Sequence, residues 1–353
     1  MTAVKRFGFI NAKLRTRLGN LLPDDFFDRL VRANNLVEAM LQLKDTAYAS
    51  LEKVYSETGD LKMAELELYS EEIALYREVQ KYLDPVLAEF INALLLRYEI
   101  DIVKNVVRLW FDRKVRGRDI SSASGYVYSG KIIHQFDTDE MIEAADIEAL
   151  AKSAAGTPYA AMITKWSEHI LQEQTLFPLE MDLDAFFYDA LHAAAKKLDK
   201  KDQAIVSRII GVEIDMENIS RTIRLRMFAR LPAEDIVRFT VNGGNKVSRP
   251  LIRKAAEAGN ENDVLSAFIE SAYPGFSGFL GDGTDARRRL GLIESLLADV
   301  LKQEVRRLML GNPFTIGIIL SYFFFRKKEM SSLMTILNAK YYAIPEDQLR
   351  GRI

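Results

Sequence analysis

The stretch Glu99 to Arg118, EIDIVKNVVRLWFDRKVRGR, comes round again later in the chain, and such self-similarity limits the folds open to it. Glu213 to Arg230 reads EIDMENISRTIRLRMFAR, with the same Glu-Ile-Asp opening (Glu99 and Asp101, then Glu213 and Asp215). Asn218 answers to Asn105 there, and Arg221 to Arg108. A weaker third copy, Glu329 to Tyr342, reads EMSSLMTILNAKYY and puts Ser332 in the Asn position. Eight positions beyond the Asn or Ser, a basic residue follows each time, at Arg113, Arg226 and Lys340.

A second marker keeps step with the first. The segments from Val37, Ile147 and Val264 each close an apolar-periodic helix on a small residue or hydroxyl and then a tyrosine, at Tyr48, Tyr159 and Tyr273. Those tyrosines are one small domain apart. A third marker is a Pro followed by acids: Leu22-Pro23-Asp24-Asp25, Leu231-Pro232-Ala233-Glu234-Asp235 and Ile344-Pro345-Glu346-Asp347. Three markers in one order predict an all-α chain of three similar subdomains with an internal pseudo-threefold repeat. The units are residues 1–98, 99–212 and 213–328, and a segment over 329–353 packs back on the first unit.

The 353 residues are 48% apolar, enough to bury a large core. A net charge of −2 gives no global field for nucleic acid, although local basic patches remain open. With no cysteine, disulfides, thiolate zinc sites and cysteine nucleophiles are all excluded. The N-terminus lacks the apolar run of a secretory signal. The most apolar stretch, Phe314 to Phe325, is shorter than the roughly 20 residues a membrane span needs and reads as a buried helix.

In order, the pattern predicts a basic helix over Phe9 to Leu18, another from Pro23, a long amphipathic helix over Leu61 to Asp84, and a second over Pro85 to Lys114. Ser121 to Phe136 is the one clearly non-helical region. Helices are expected again at Asp137 to Ala154, Pro158 to Leu176, Leu183 to Leu198 and Asp202 to Phe228. Beyond Pro232 come a turn at Asn242-Gly243-Gly244, a helix over Asn262 to Ser271, a Gly-rich linker over Tyr273 to Thr284, and a long helix carrying Leu290 to Leu308.

Several stretches imitate catalytic motifs. Asp24-Asp25-Phe26-Phe27-Asp28 matches the DDxxD pattern that holds diphosphate-bound magnesium in helical prenyl-transfer enzymes. An acidic helix start after Pro23 explains the same residues through the helix dipole, and the later copies keep the Pro-acid start while dropping the third carboxylate. Gly281-Asp282-Gly283-Thr284 and Asn242-Gly243-Gly244-Asn245 lack the ending of a phosphate loop and read as turns. His134, His169 and His192, the only histidines, are far apart, and each reads as a lone surface residue or a satisfied core residue.

Within the repeated motif, Glu99 and Asp101, like Glu213 and Asp215, lie two apart and face different ways on a helix, so they do not converge on one metal. The motif residues Glu99, Asp101, Asn105, Arg108, Glu213, Asp215, Asn218, Arg221, Glu329 and Ser332 are expected to be structural. One carboxylate would pair with a repeat arginine such as Arg108 or Arg221, and the Asn would bond a neighbouring helix. No catalytic, cofactor-binding or metal residue is assigned, and no cofactor is expected.

Together, the basic helix containing Asn11-Ala12-Lys13-Leu14-Arg15, the Glu-Ile-Asp helices with their Asn and Arg, and the closing segment from Pro313-Phe314-Thr315-Ile316-Gly317 through Lys328-Glu329-Met330 to Ile336-Leu337 resemble the V-type ATPase C/d subunit family over essentially the whole chain. The resemblance implies a funnel-shaped helical body in the central stalk of a rotary V/A-type ATPase or ATP synthase. It implies a non-catalytic subunit, cytoplasmic and peripheral to the membrane, that passes torque between the soluble rotor stalk and the membrane rotor ring of proteolipid subunits. Nucleic acid and small-molecule substrates would not be partners. The coupling ion, proton or sodium, is not fixed by it.

Two other classes remain open from the sequence. A helical enzyme would use Asp24, Asp25 and Asp28. A protein- or RNA-binding adaptor would use Arg15, Arg17, Arg224, Arg226 and Arg287-Arg288-Arg289.

Overall fold

The computed structural model describes residues 2–227, 229–275 and 286–346, and among them there is no strand. The described residues form two compact units, one drawn from Met1–Ala194 with Tyr322–Ile353 and the other from Ala195–Ser321. The glycine-rich linker from position 276 onward, the Gly281 turn, the side chains of Arg287 to Arg289, and Asp347 lie outside the described residues.

The first unit opens with α1 (Ala3–Gly19), α2 (Asp24–Arg32), α3 (Leu36–Leu41), α4 (Ala49–Thr58), α5 (Leu61–Gln80) and α6 (Pro85–Lys114). It continues through the single turn α7 (Ser121–Ser124), then α8 (Thr138–Glu143), α9 (Ile147–Ser153), α10 (Pro158–Glu173) and α11 (Phe177–Ala195). The second unit carries α12 (Lys200–Met227), α13 (Ala233–Arg238), α14 (Arg249–Ala256), α15 (Glu261–Ala272) and α16 (Ala286–Leu310). Last is α17 (Gly317–Tyr341).

Local chemistry sets these boundaries. Asp84 caps α6 by accepting from the Val86 and Leu87 amides, and Pro85 opens the helix where its missing N–H costs nothing. The helix then runs 30 residues, with Leu87, Phe90, Ile91, Val103, Val106 and Val107 among those it buries. Asp137 to Ala154, expected as one helix, is two. Ala144 leaves the helix at ψ 134°, and Asp146 caps a fresh start by accepting from the Ala149 amide. Helix α11 begins six residues before the expected Leu183, because Pro178 suits a first turn. Ser121 to Phe136 is irregular apart from α7, as its composition predicts.

In the first unit one core joins Leu30, Leu43, Tyr48, Leu51 and Leu68 to Leu333, Ile336 and Leu337 of α17. The second unit packs Ile219 and Ile223 of α12 against Ile252, Phe268, Tyr273 and Leu297. No helix among the described residues is long and apolar enough to cross a membrane.

Candidate functional site

On the long helix α6, Glu99 is fully buried. Its Oε1 accepts the Tyr159 hydroxyl at 2.6 Å and meets His134 Nδ1 at 2.6 Å. Its Oε2 accepts the backbone amides of Ile133 at 2.5 Å and His134 at 2.8 Å. Four contacts therefore close one carboxylate, which a buried acid requires. Burial first, and the neighbouring carboxylate next, push the Tyr159 hydroxyl well above its ordinary range, so it stays a donor. Phe136 packs edge-on to the Tyr159 ring.

Asp215 on α12 repeats the scheme in the second unit and is also fully buried. Its Oδ2 accepts the Tyr273 hydroxyl at 2.7 Å and the Lys246 amide at 2.9 Å, and its Oδ1 accepts the Val247 amide at 3.0 Å. The loop comes this close because Gly244 has no side chain: a Cβ there would collide with Asp215 Oδ1. Burial, then the hydrogen bond to Asp215, raises the Tyr273 hydroxyl.

Glu329 on α17 is a further buried acid, and its surroundings differ in detail. Its Oε1 accepts the Leu22 amide at 2.8 Å. The fully buried Tyr48 hydroxyl approaches Glu329 but reaches hydrogen-bond geometry with none of the described residues. The Arg326 guanidinium lies 4.3 Å over the Tyr48 ring and serves two acids, Glu72 at 3.8 Å and Glu329 at 4.0 Å. Burial outweighs that arginine and pushes Glu72 up to about 7, and it raises Glu329 too.

The three arrangements share a register. Leu22, Ile133 and Val247, whose amides reach the carboxylates, each stand 26 residues before their tyrosine. Asn35, Asp146 and Asn260, which cap α3, α9 and α15, each stand 13 before it. Thr46 and Thr157, two before Tyr48 and Tyr159, accept the tyrosine amides and bond back to Leu43 and Ala154.

The other motif residues take separate places. Asp101, Asn105 and Arg108 are exposed, and Glu213 and Ser332 are half-buried. Asn218 is buried and pairs both ways with the Val241 backbone at 2.8 Å, a loop partner where the sequence predicts a neighbouring helix. Both arginines bond acids outside the motif. Arg108 meets Glu180 at 2.6 Å, and Arg221 meets Glu217 and the Phe239 carbonyl. Helical neighbours are three or four apart, and Arg108 is nine from Glu99 whereas Glu217 is four from Arg221. The basic series instead holds carbonyls near the ends of short helices: Arg113 with Ile142, Arg226 with Ala258 and Lys340 with Val31.

Sequence reasoning did not foresee the bonds from His134 to Glu99, or Glu72 with Arg326, which carry no motif. The Pro markers are not equivalent either. Pro23 caps α2 25 residues before Tyr48, while Pro232 caps α13 41 before Tyr273. Asp24, Asp25 and Asp28 lie exposed at the start and along α2, with Asp25 paired to Arg29.

Carboxylates bonded by tyrosines and loop amides hold helices in place; in the Glu99 and Asp215 sites every carboxylate oxygen already has a donor. These two sites are structural ties between helices and loops. The family model for the ATP synthase (C/AC39) subunit matches residues 10–352, and the chain belongs to that family, a non-catalytic subunit of its complex. It is 21% identical to the A-type ATP synthase C subunit of Methanocaldococcus jannaschii, over 98% of this chain and 85% of that one. Against the V-type ATP synthase C subunit of Thermus thermophilus the identity is 24% over 98% of each chain. For the A-type ATP synthase C subunit of Pyrococcus horikoshii it is 22%, over 94% and 85%.

Proposed function

We propose that this chain is a central-stalk subunit of a rotary V/A-type ATPase or ATP synthase that joins the soluble rotor stalk to the membrane rotor ring and passes torque between them. It works at the cytoplasmic face of the membrane and contributes stiffness in place of chemistry. In this reading the chain is a pseudo-threefold, funnel-shaped body with units at 1–98, 99–212 and 213–328 and a closing segment at 329–353.

The observation that supports it best is the thrice-repeated register of buried carboxylate, loop amide and tyrosine. A torque-bearing body has to resist shear between its helices, and side chains bonded at fixed geometry in a close-packed interior supply that resistance. The ATP synthase relatives, matched over nearly the whole chain, supply the assembly.

The reading is tested by expressing the membrane ring and the soluble stalk with and without this chain. The stalk is expected to be recovered on ring-containing membranes only when the chain is present. Equal recovery in its absence contradicts the linking role.

A further inference from the structure

The first unit carries a pocket that the three carboxylate sites do not use. Its volume is about 370 Å³, and its walls include Glu65 and Tyr69 from α5, Asp101 and Asn105 from α6, and Tyr126 and Tyr128 from the segment after α7. Asp101 and Asn105 are one helical turn apart and share a face. Both are exposed, and Asp101 forms no hydrogen bond or ion pair among the described residues. The cations whose charge reaches it most strongly are held elsewhere. Lys104 binds Asp184 at 2.5 Å, and Arg97 lies 4.0 Å over the Phe187 ring and donates to the Tyr188 hydroxyl at 3.0 Å.

The tyrosines narrow what a guest can be. Tyr69 spends its hydroxyl on the Tyr98 carbonyl at 2.6 Å and Tyr126 spends its own on Asp60, so what these two offer is ring. Tyr69 and Tyr128 stand 5.8 Å apart between centroids. The chain's own Lys62 already lies 4.9 Å over the Tyr126 ring, so this wall accepts a cation. Of the lining residues Glu65, Asp101 and Lys62 are charged, a balance of −1. A carboxylate and an amide oxygen one turn apart, beside aromatic rings, fit a planar guanidinium, which donates through several N–H groups while its face stacks; a compact ammonium uses less of that wall.

We infer that this pocket receives an arginine side chain presented by the soluble rotor stalk, an inference that rests on the central-stalk role proposed above. The segment 121–136 then has a use, since it supplies two of the aromatic residues.

The test measures binding of the purified soluble stalk to the full-length chain and to Asp101→Asn and Tyr128→Leu, each first checked for unchanged helicity and melting temperature. The stalk is expected to bind the wild type. Each variant should bind at least tenfold more weakly, Asp101→Asn with a shallower salt dependence, and arginine methyl ester should compete where citrulline amide does not. Wild-type binding that both variants keep in full overturns the pocket while leaving the central-stalk role standing. No binding by the wild type overturns both.

Discussion

The Tyr159 hydroxyl donates to Glu99 Oε1 at 2.6 Å across 60 positions of chain, tying the helix that opens the repeated motif to the start of α10. Tyr273 does the same for Asp215 across 58 positions. Each bond removes a buried donor and a buried acceptor at once, so deleting one side strands the other.

Tyr159→Phe and Tyr273→Phe should therefore each cost about 1–3 kcal/mol. Tyr48→Phe should be close to neutral, because its hydroxyl makes no hydrogen bond among the described residues to lose. Urea midpoints of the three variants check this. Equal losses at all three positions would contradict the difference between the sites.

Gly244→Ala should destabilise by about 1–3 kcal/mol, since the new methyl enters the space of the Asp215 carboxylate and forces the loop off its two amide bonds. Gly291→Ala, in α16 with open space where the methyl would go, should stabilise by roughly 0.5–1 kcal/mol. Thermal melts of the two variants should shift in opposite directions.

Glu72 supplies a pH dependence. Its pKa rises from 4.5 to about 7 through burial, so the protonated acid is the form that the fold favours. Its contribution is fully present below about pH 4.5 and is lost as pH rises through 7, to the extent of about 3 kcal/mol from the size of the shift. Melting temperature should fall between pH 5 and pH 8 in the wild type, and Glu72→Gln should flatten that fall. A slope unchanged by the substitution would contradict the assignment.

How much of this the sequence carries depends on the element. The helices are legible because caps and apolar spacing act locally: Asp84-Pro85 and Asp146 announce their starts without help from the rest of the chain. The tyrosines are legible as a series because all three are buried in one register. The acceptors are not. Aligning the two Glu-Ile-Asp stretches pairs Glu99 with Glu213 and Asp101 with Asp215, yet the buried acids are Glu99 and Asp215, while Asp101 is exposed and Glu213 half-buried. Residues two apart on a helix point to different sides, and only packing decides which side is inward. Asn105 and Asn218 diverge for the same reason, one exposed and one buried. His134 meets its acid from 35 positions away, with no local pattern to announce it.

The coupling of rotation proposed for this chain is read out by the ratio of ions pumped to ATP hydrolysed in reconstituted vesicles. The complete enzyme is compared with one lacking the chain and with one carrying Tyr159→Phe together with Tyr273→Phe. Without the chain, hydrolysis by the head should continue while pumping is lost, and the double variant should hydrolyse normally with a lowered ratio. Full pumping in the complete absence of the chain would contradict the claim.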